Sequence, residues 1–296
     1  MIGPGEITLG LNLFDRLRKL WGWLRGRKST PVESIATRFV RLFESHGVYR
    51  NQIPRFFGHS LTVQDVQDDA SLVAKLDETV LEAACKRFAV RREWLDGAES
   101  QIHPCHDFYK HPEGFADFLV KLKAANPDGE LGGVLLAPNE QDRQANALII
   151  LHEMVGWVGD KPIYRYHLCN NWLFSYWKAR AYLTACVAIA WKHGVYVHGL
   201  RIPRKEIDKL AEGETLLGWQ GEGVRGFVGR TKWYPEDMAL KPEAFLEGVD
   251  PERDNFGIKS GLKRWLELEE QGLMETGAPI TNVRQLFQQE LEKYST

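Results

Sequence analysis

The stretch "ALIILHEMVGWVGDKPIYRYHL" at residues 147–168 restricts the fold more than any other part of the chain. Its two runs of apolar, β-branched and aromatic residues flank Gly159–Asp160, a dipeptide typical of a hairpin turn. Two further strands, "LGGVLLA" and "VYVHGL", come before and after it, and a long apolar helix precedes the second of them. Strands mixed with helices without strict alternation predict an α+β domain over residues 101–240, with a mainly antiparallel sheet.

The chain on either side of this domain has the three- and four-residue apolar spacing of helices. Residues 31–100 predict a bundle of short helices, in which Asp77 caps the fourth. Residues 241–296 predict C-terminal helices, and residues 1–30 predict a basic amphipathic helix and a linker. We therefore expect a multidomain α and α+β protein, with residues 101–240 as the candidate domain for sensing or oligomerisation.

The helical bundle closes with "LEAACKRFAVRREWLDG" at residues 81–97. In this segment a helix ends near Phe88, Val90 follows, and one further turn carries Trp94 and Leu95. Together with the preceding short helices it resembles the lambda-repressor-like, Xre-type helix-turn-helix domain over residues 31–98. The resemblance implies a bacterial-type transcriptional regulator. It also implies that the protein binds duplex DNA as a homodimer, because two half-sites match a two-fold dimer.

By position, the resemblance implies that the second helix covers residues 49–57 and that the helix entering the major groove covers residues 60–69, with Ser60 as its N-cap. Side-chain amides can bind adenine edges and cations can bind phosphates. The candidate DNA contacts are therefore Arg50, Arg55, Gln64, Gln67, Arg91 and Arg92.

The charge of this region opposes DNA binding. Residues 56–74 contain no Lys or Arg, and the predicted third helix carries Asp65, Asp68 and Asp69. Since attraction to phosphate supplies most non-specific affinity, an acidic helix is poorly suited to a groove. The alternative is a protein-interaction or scaffold protein that does not bind DNA and whose acidic helix contacts a basic partner.

Aromatic residues next to arginines in the α+β domain indicate a pocket for a small anionic or aromatic ligand. The candidate pocket residues are Tyr164, Arg165, Tyr166, Trp172, Trp177 and Arg180. The alternative is that about half of these side chains pack in the core of the domain instead.

The sequence predicts neither an enzyme nor a cofactor or metal site. "HPCHDFYKH" at residues 103–111 offers imidazoles and a thiol, but a structural zinc site needs a second ligand pair with regular spacing. "GEGVRG" at residues 221–226 matches a dinucleotide fingerprint, but a strand or loop follows where a helix is needed. A GxSxG nucleophile elbow, a Walker A loop and an HRD-type kinase set are absent from the chain.

Four cysteines without a CxxC pair favour a reducing cytoplasm. The net charge of -2 excludes a generally polybasic nucleic-acid binder and leaves room for a local basic patch. The basic segment at residues 12–28 favours packing on the body or on a second subunit. The alternatives are contact with an anionic membrane surface or with nucleic acid.

The DNA-binding interpretation predicts salt-dependent binding to duplex DNA, measured by fluorescence anisotropy. Replacing the four candidate arginines with alanine should lower the slope of log K against log salt by about four, because each lost phosphate contact lowers it by about one. Undetectable binding of the unaltered protein at low salt would contradict this interpretation.

Overall fold

The computed structural model describes residues 33–139, 144–218, 231–251, 257–277 and 281–294, so the predicted helix at residues 12–28 and the glycine-rich stretch at residues 221–226 lie outside the described residues. The helices before the first strand are α1 (Ile35–Ser45), α2 (Ile53–Phe57), α3 (Asp69–Val73), α4 (Glu78–Phe88) and α5 (Arg92–Leu95). The strands are β1 (Cys105–Asp107), β2 (Leu131–Pro138), β3 (Asn146–Val158), β4 (Lys161–Leu173), β5 (Val197–Ile202) and β6 (Thr231–Trp233). The later helices are α6 (Pro112–Ala125), α7 (Trp177–Lys192), α8 (Arg204–Ala211), α9 (Asp237–Leu240), α10 (Pro242–Leu246), α11 (Ile258–Glu270) and α12 (Val283–Glu292).

The strands of the described residues form one mixed sheet in the order β1–β4–β3–β2–β5–β6. The predicted α+β class is confirmed, and β3 and β4 form the predicted hairpin about Gly159 and Asp160. The prediction of a mainly antiparallel sheet is wrong, because β1 pairs with β4 and β2 pairs with β5 in parallel. Helix α7 accounts for the parallel pairing of β2 with β5. It carries the chain back to the end of the sheet at which β4 begins, so β5 runs in the same direction as β4 and β2.

Helices α1 to α5 form the N-terminal bundle around a core of phenylalanines. The rings of Phe43 and Phe88 meet edge to face at 4.9 Å, and Phe57 meets Phe43 in the same way at 5.1 Å. Helix α4 begins as predicted, since the Asp77 carboxylate accepts a hydrogen bond from the amide of Val80 at 2.9 Å. The helical character predicted for this part of the chain is therefore observed.

The predicted third helix over residues 60–69 does not form. Ser60 has a φ of +59°, which prevents it from acting as the expected cap. The Asp65 carboxylate instead accepts hydrogen bonds from the amide and hydroxyl of Thr62, at 2.8 and 2.6 Å. Such local side-chain bonds compete with helix formation, and α3 begins only where Asp68 caps it through the amide of Ser71.

Different helices cover the two faces of the sheet. Helices α6, α7, α11 and α12 pack on the first face and contribute Phe115, Leu183, Trp265 and Phe287 to its core. Helix α8 packs on the second face through Ile207 and Leu210. None of the described helices combines the length and the apolar character needed to cross a bilayer.

The bundle core continues into the β3–β4 hairpin. Ile163 of β4 is fully buried in the same apolar cluster as the bundle phenylalanines. A side-chain carbon at Gly156 would lie 2.9 Å from the ring of Phe56, so only glycine permits this close approach. Arg87 of α4 donates to the carbonyl of Val155 at 3.1 Å. Residues 35–296 accordingly form one compact unit.

We predict that Ile163→Ala destabilises the bundle and the sheet together. The truncation leaves a cavity in the shared core and should lower the free energy of unfolding by about 3 kcal/mol. Urea unfolding followed by circular dichroism and by tryptophan fluorescence should give coincident transitions. Val120→Ala, on the exposed side of α6, is the matched control and should change stability little. Two separate transitions in the unaltered protein would contradict the shared core.

Candidate functional site

Two of the predicted DNA-contacting arginines already bind groups within the bundle. The Arg50 guanidinium donates to the carbonyl of Val66 and to the Asp69 carboxylate, both at 2.6 Å. The Arg91 guanidinium lies 2.6 Å from the Glu99 carboxylate. These pairs hold the turn after α2 and the segment after α5 in place, so the arginines have structural roles whatever else they bind.

Arg92 also binds carboxylates within the bundle, and it has more than one such partner. It pairs with Glu78 of α4, and its Nε lies 3.0 Å from Asp96. The side-chain hydrogen bond to Glu78 and the nearby carboxylates raise the pKa of Arg92 above its ordinary value. The remaining predicted DNA contacts are exposed on the bundle: Arg55, Gln64 and Gln67.

The six predicted pocket residues fall in separate places, because successive residues of a strand point to opposite faces. Trp172 is fully buried in the core on the first face of the sheet, and Trp177 is half-buried at the start of α7. Tyr164 and Tyr166 lie on the second face, while Arg165 lies on the first. The structure therefore brings together two of the six, Tyr164 and Tyr166.

Arg180 is a buried structural residue. Only 1% of its surface is exposed, and its guanidinium donates to the carbonyls of Phe174, Phe245 and Glu247 at 2.8 to 3.0 Å. Burial lowers the pKa of Arg180 to about 9. These hydrogen bonds connect the end of α10 to α7. Because backbone carbonyls occupy its donors, Arg180 is not positioned to bind a ligand.

Arg165 belongs to a buried polar cluster centred on Glu153, which sequence reasoning missed. The Glu153 carboxylate is 2% exposed and accepts two hydrogen bonds from Arg165, at 2.6 and 2.7 Å. His167 and Asn126 each bond it at 2.9 Å. Burial alone would raise the pKa of Glu153, but the hydrogen bonds from His167, Arg165 and Asn126 outweigh burial and lower it to about 2.

A cavity of about 540 Å³ lies on the second face of the sheet, between the bundle and the hairpin. The bundle contributes the residue just after α1, and the hairpin contributes the end of β3, the turn and the first half of β4. The lining residues are His46, Val158, Asp160, Lys161, Pro162, Tyr164 and Tyr166. This cavity is the candidate functional site.

His46 supplies the most unusual polar group of this cavity. Its ring is 3% exposed and lies 5.8 Å from the ring of Tyr166 and 4.2 Å from that of Phe88. The Nδ1 atom lies 2.7 Å from the carbonyl oxygen of Leu42. A carbonyl only accepts, so Nδ1 carries the hydrogen and Nε2 carries a lone pair. Among the described residues, Nε2 has no hydrogen-bond partner.

Burial keeps His46 neutral. Desolvation outweighs the hydrogen bond to Leu42 and lowers the pKa of His46 to about 4. At neutral pH the ring is therefore an acceptor at Nε2 and a donor at Nδ1. A buried acceptor without a donor is unfavourable by about 1–3 kcal/mol. Because Nε2 has almost no accessible surface, His46 lines the cavity through its other atoms.

The histidines of the segment at residues 103–111 lie in different environments. His103 is fully buried, and its Nε2 accepts from the amide of Leu217 at 3.4 Å. Burial first, and then the nearby His46 and His167, lower the pKa of His103 to about 3. His106 is half-buried, with its ring 4.5 Å from that of Phe118. The described residues contain no group of three or more side chains arranged to hold a metal ion.

Comparison with models of protein families, with curated proteins and with solved structures found no match for this chain. The likeness of residues 31–98 to an Xre-type domain thus stays a prediction. The function is inferred from side-chain geometry alone.

We predict that acid destabilises the protein in two steps. The unfolded chain protonates His46 and His103 below about pH 6.5, whereas the folded chain keeps them neutral down to about pH 4 and about pH 3. Above pH 6.5 both imidazoles are neutral in the folded and the unfolded chain. Below pH 6.5 the unfolded chain binds protons that the folded chain does not, so the free energy of unfolding falls. The fall is about 2 kcal/mol for each histidine between pH 7 and pH 4.5. The lowered pKa of Glu153 causes a second decrease in the free energy of unfolding, between about pH 4.5 and about pH 2.

Urea unfolding at pH values from 7.5 to 4.5 measures the first step. In His46→Gln the free energy of unfolding should depend less on pH in this range, because one of the two buried imidazoles is gone. A free energy that stays constant from pH 7.5 to 4.5 in the unaltered protein would contradict this account.

Proposed function

We propose that residues 35–296 bind a small molecule in the cavity between the bundle and the hairpin, and that the protein acts as a ligand sensor. The observation that carries this proposal is a cavity of about 540 Å³ whose lining joins His46 of the bundle to two tyrosines of β4. Ligand cavities combine apolar and aromatic walls with a few placed polar groups. The rings of Tyr164 and Tyr166, with Val158 and Pro162, supply such walls here.

The position of the cavity supports a regulatory role. His46 belongs to the bundle, whereas the tyrosines belong to β4, so an occupant would contact both parts at once. A ligand that binds only the packed arrangement stabilises it by RT ln(1 + [L]/Kd), or about 2.7 kcal/mol at a hundred times Kd. Occupancy would therefore strengthen the contact between bundle and sheet.

Duplex DNA binding by the bundle is a second candidate function. It is supported by the resemblance of residues 31–98 and by the exposure of Arg55, Gln64 and Gln67. The carboxylates paired with Arg50, Arg91 and Arg92 oppose it, because a phosphate must displace them. In this role the ligand would control DNA affinity through the bundle, and two copies would bind two half-sites.

Binding of phenol, an aromatic ring with one hydroxyl donor, tests the ligand-binding proposal. Ligand-observed NMR titration should give saturable binding with a dissociation constant of about 1 mM, as expected for a ligand of this size. Val158→Trp fills the cavity and should weaken binding at least about tenfold. Val120→Trp, which adds the same side chain on exposed α6, should leave affinity unchanged. Absence of saturable binding, or equal affinity in the two variants, would contradict the proposal.

A further inference from the structure

The surface around the start of α7 carries three cations close to one another. Lys110 lies in the turn between β1 and α6, Lys178 lies in the first turn of α7, and Arg264 lies in α11. We infer that these cations form a second binding site, whose ligand is a small molecule carrying a phosphate monoester group. The site shares no residue with the cavity between the bundle and the hairpin, so this inference does not depend on the ligand proposed for that cavity.

Aromatic rings hold two of the cations in position. The Nζ atom of Lys110 lies 4.9 Å from the centre of the Tyr109 ring. The guanidinium carbon of Arg264 lies 6.0 Å from the centre of the Tyr182 ring. The two tyrosine rings meet edge to face, with their centres 6.0 Å apart. Because cation–π contacts are attractive, this pair of rings keeps Lys110 and Arg264 near each other before any ligand binds.

Lys178 joins this group of cations from α7. Its ammonium lies 5.0 Å from the centre of the Trp177 ring. Trp177, which the sequence predicts as a pocket residue, packs on α11, since a side-chain carbon at Gly261 would lie 3.4 Å from its Cβ atom. Burial first, and then the positive charges of Lys110 and Arg264, lower the pKa of Lys178. An anion bound among the three cations would offset this repulsion.

The carboxylates near these cations neutralise only one of them. Glu267 of α11 lies 2.7 Å from Arg264 and compensates its charge. The Asp107 carboxylate at the end of β1 accepts hydrogen bonds from a backbone amide at 2.9 Å and from an asparagine side chain at 2.7 Å. Within the described part of the chain, Lys110 and Lys178 form no ion pair with a carboxylate. Two ammonium groups therefore remain to attract an anion.

A phosphate monoester matches this arrangement in charge. Its second pKa is about 6, so at pH 7.5 it carries nearly two negative charges, one for each of the two ammonium groups. A carboxylate or a phosphodiester carries only one. Ammonium groups bind phosphate as point charges, and charge-assisted hydrogen bonds of this kind are strong. A nucleic-acid strand would need a longer basic groove than these three cations provide.

Methyl phosphate and dimethyl phosphate test the inference, because they differ by one negative charge and neither has a ring that could enter the cavity lined by tyrosines. Titration into the full chain at pH 7.5 and constant ionic strength, followed by ³¹P NMR, should show saturable binding of methyl phosphate. We expect a dissociation constant of about 1 mM for so small a ligand. Dimethyl phosphate should bind at least about fivefold more weakly, because it loses the attraction of one ammonium.

Lys178→Gln should weaken methyl phosphate binding about fivefold, because it removes a charge and its hydrogen-bond donors from the site. Lys110→Gln should weaken binding similarly. Because Lys110 is exposed, this second variant keeps the test decisive if Lys178→Gln does not fold. Lys205→Gln, which removes an exposed ammonium from α8, is the matched control and should leave the affinity unchanged.

Absence of saturable methyl phosphate binding would overturn the inference. So would equal binding of the two esters, or the same affinity in Lys178→Gln, Lys110→Gln and Lys205→Gln. Binding of single-stranded oligothymidylate without binding of methyl phosphate would assign this surface to a nucleic acid and would also overturn the inference. The phenol titration tests the cavity independently of all these results.

Discussion

The apolar contact between the helical bundle and the β3–β4 hairpin is the interaction on which the rest of the structure depends. The N-terminal segment supplies most of one apolar cluster, and Ile163 of the hairpin is fully buried in that same cluster. The close approach at Gly156 and the bond from Arg87 to the strand fix the relative position of the two parts. The cavity is a consequence of this packing, since both the bundle and the hairpin contribute to its lining.

Buried polar groups on the two faces of the hairpin behave in opposite ways. On the first face, Glu153 is saturated by Arg165, His167 and Asn126, and so contributes rigidity. On the second face, His46 has one nitrogen satisfied and one without a donor among the described residues. The first face also holds buried side-chain atoms without a partner among the described residues, namely Trp172 Nε1 and Trp265 Nε1. The cavity between the bundle and the hairpin is therefore what makes the second face the candidate functional site.

Local patterns in the sequence predict the bundle helices, the Asp77 cap and the hairpin turn, because each depends on neighbouring residues. They do not predict strand order, which is set by how α7 carries the chain across the sheet. The failure of the third helix could have been anticipated from Thr62 and Asp65, whose spacing favours a local turn. Counting outward from the hairpin turn would not have placed Glu153 opposite Arg165, because a bulge in β3 between Met154 and Gly156 shifts the register by one residue. No local signal marks His46, because its importance arises from contact with β4, more than a hundred residues away in sequence.

The tautomer of His46 and its response to ligand test the central claim most directly. Two-bond ¹H–¹⁵N correlation spectra of the imidazoles, with His46 assigned from the spectrum of His46→Gln, distinguish the two nitrogens. The account predicts a neutral ring protonated at Nδ1 at pH 7, with an Nε2 resonance typical of a lone pair without a hydrogen bond. Adding phenol should shift the ring resonances of His46, because this residue lines the cavity, while Nδ1 keeps its proton. A ring protonated at Nε2, or His46 ring resonances that do not move at saturating phenol, would contradict the account.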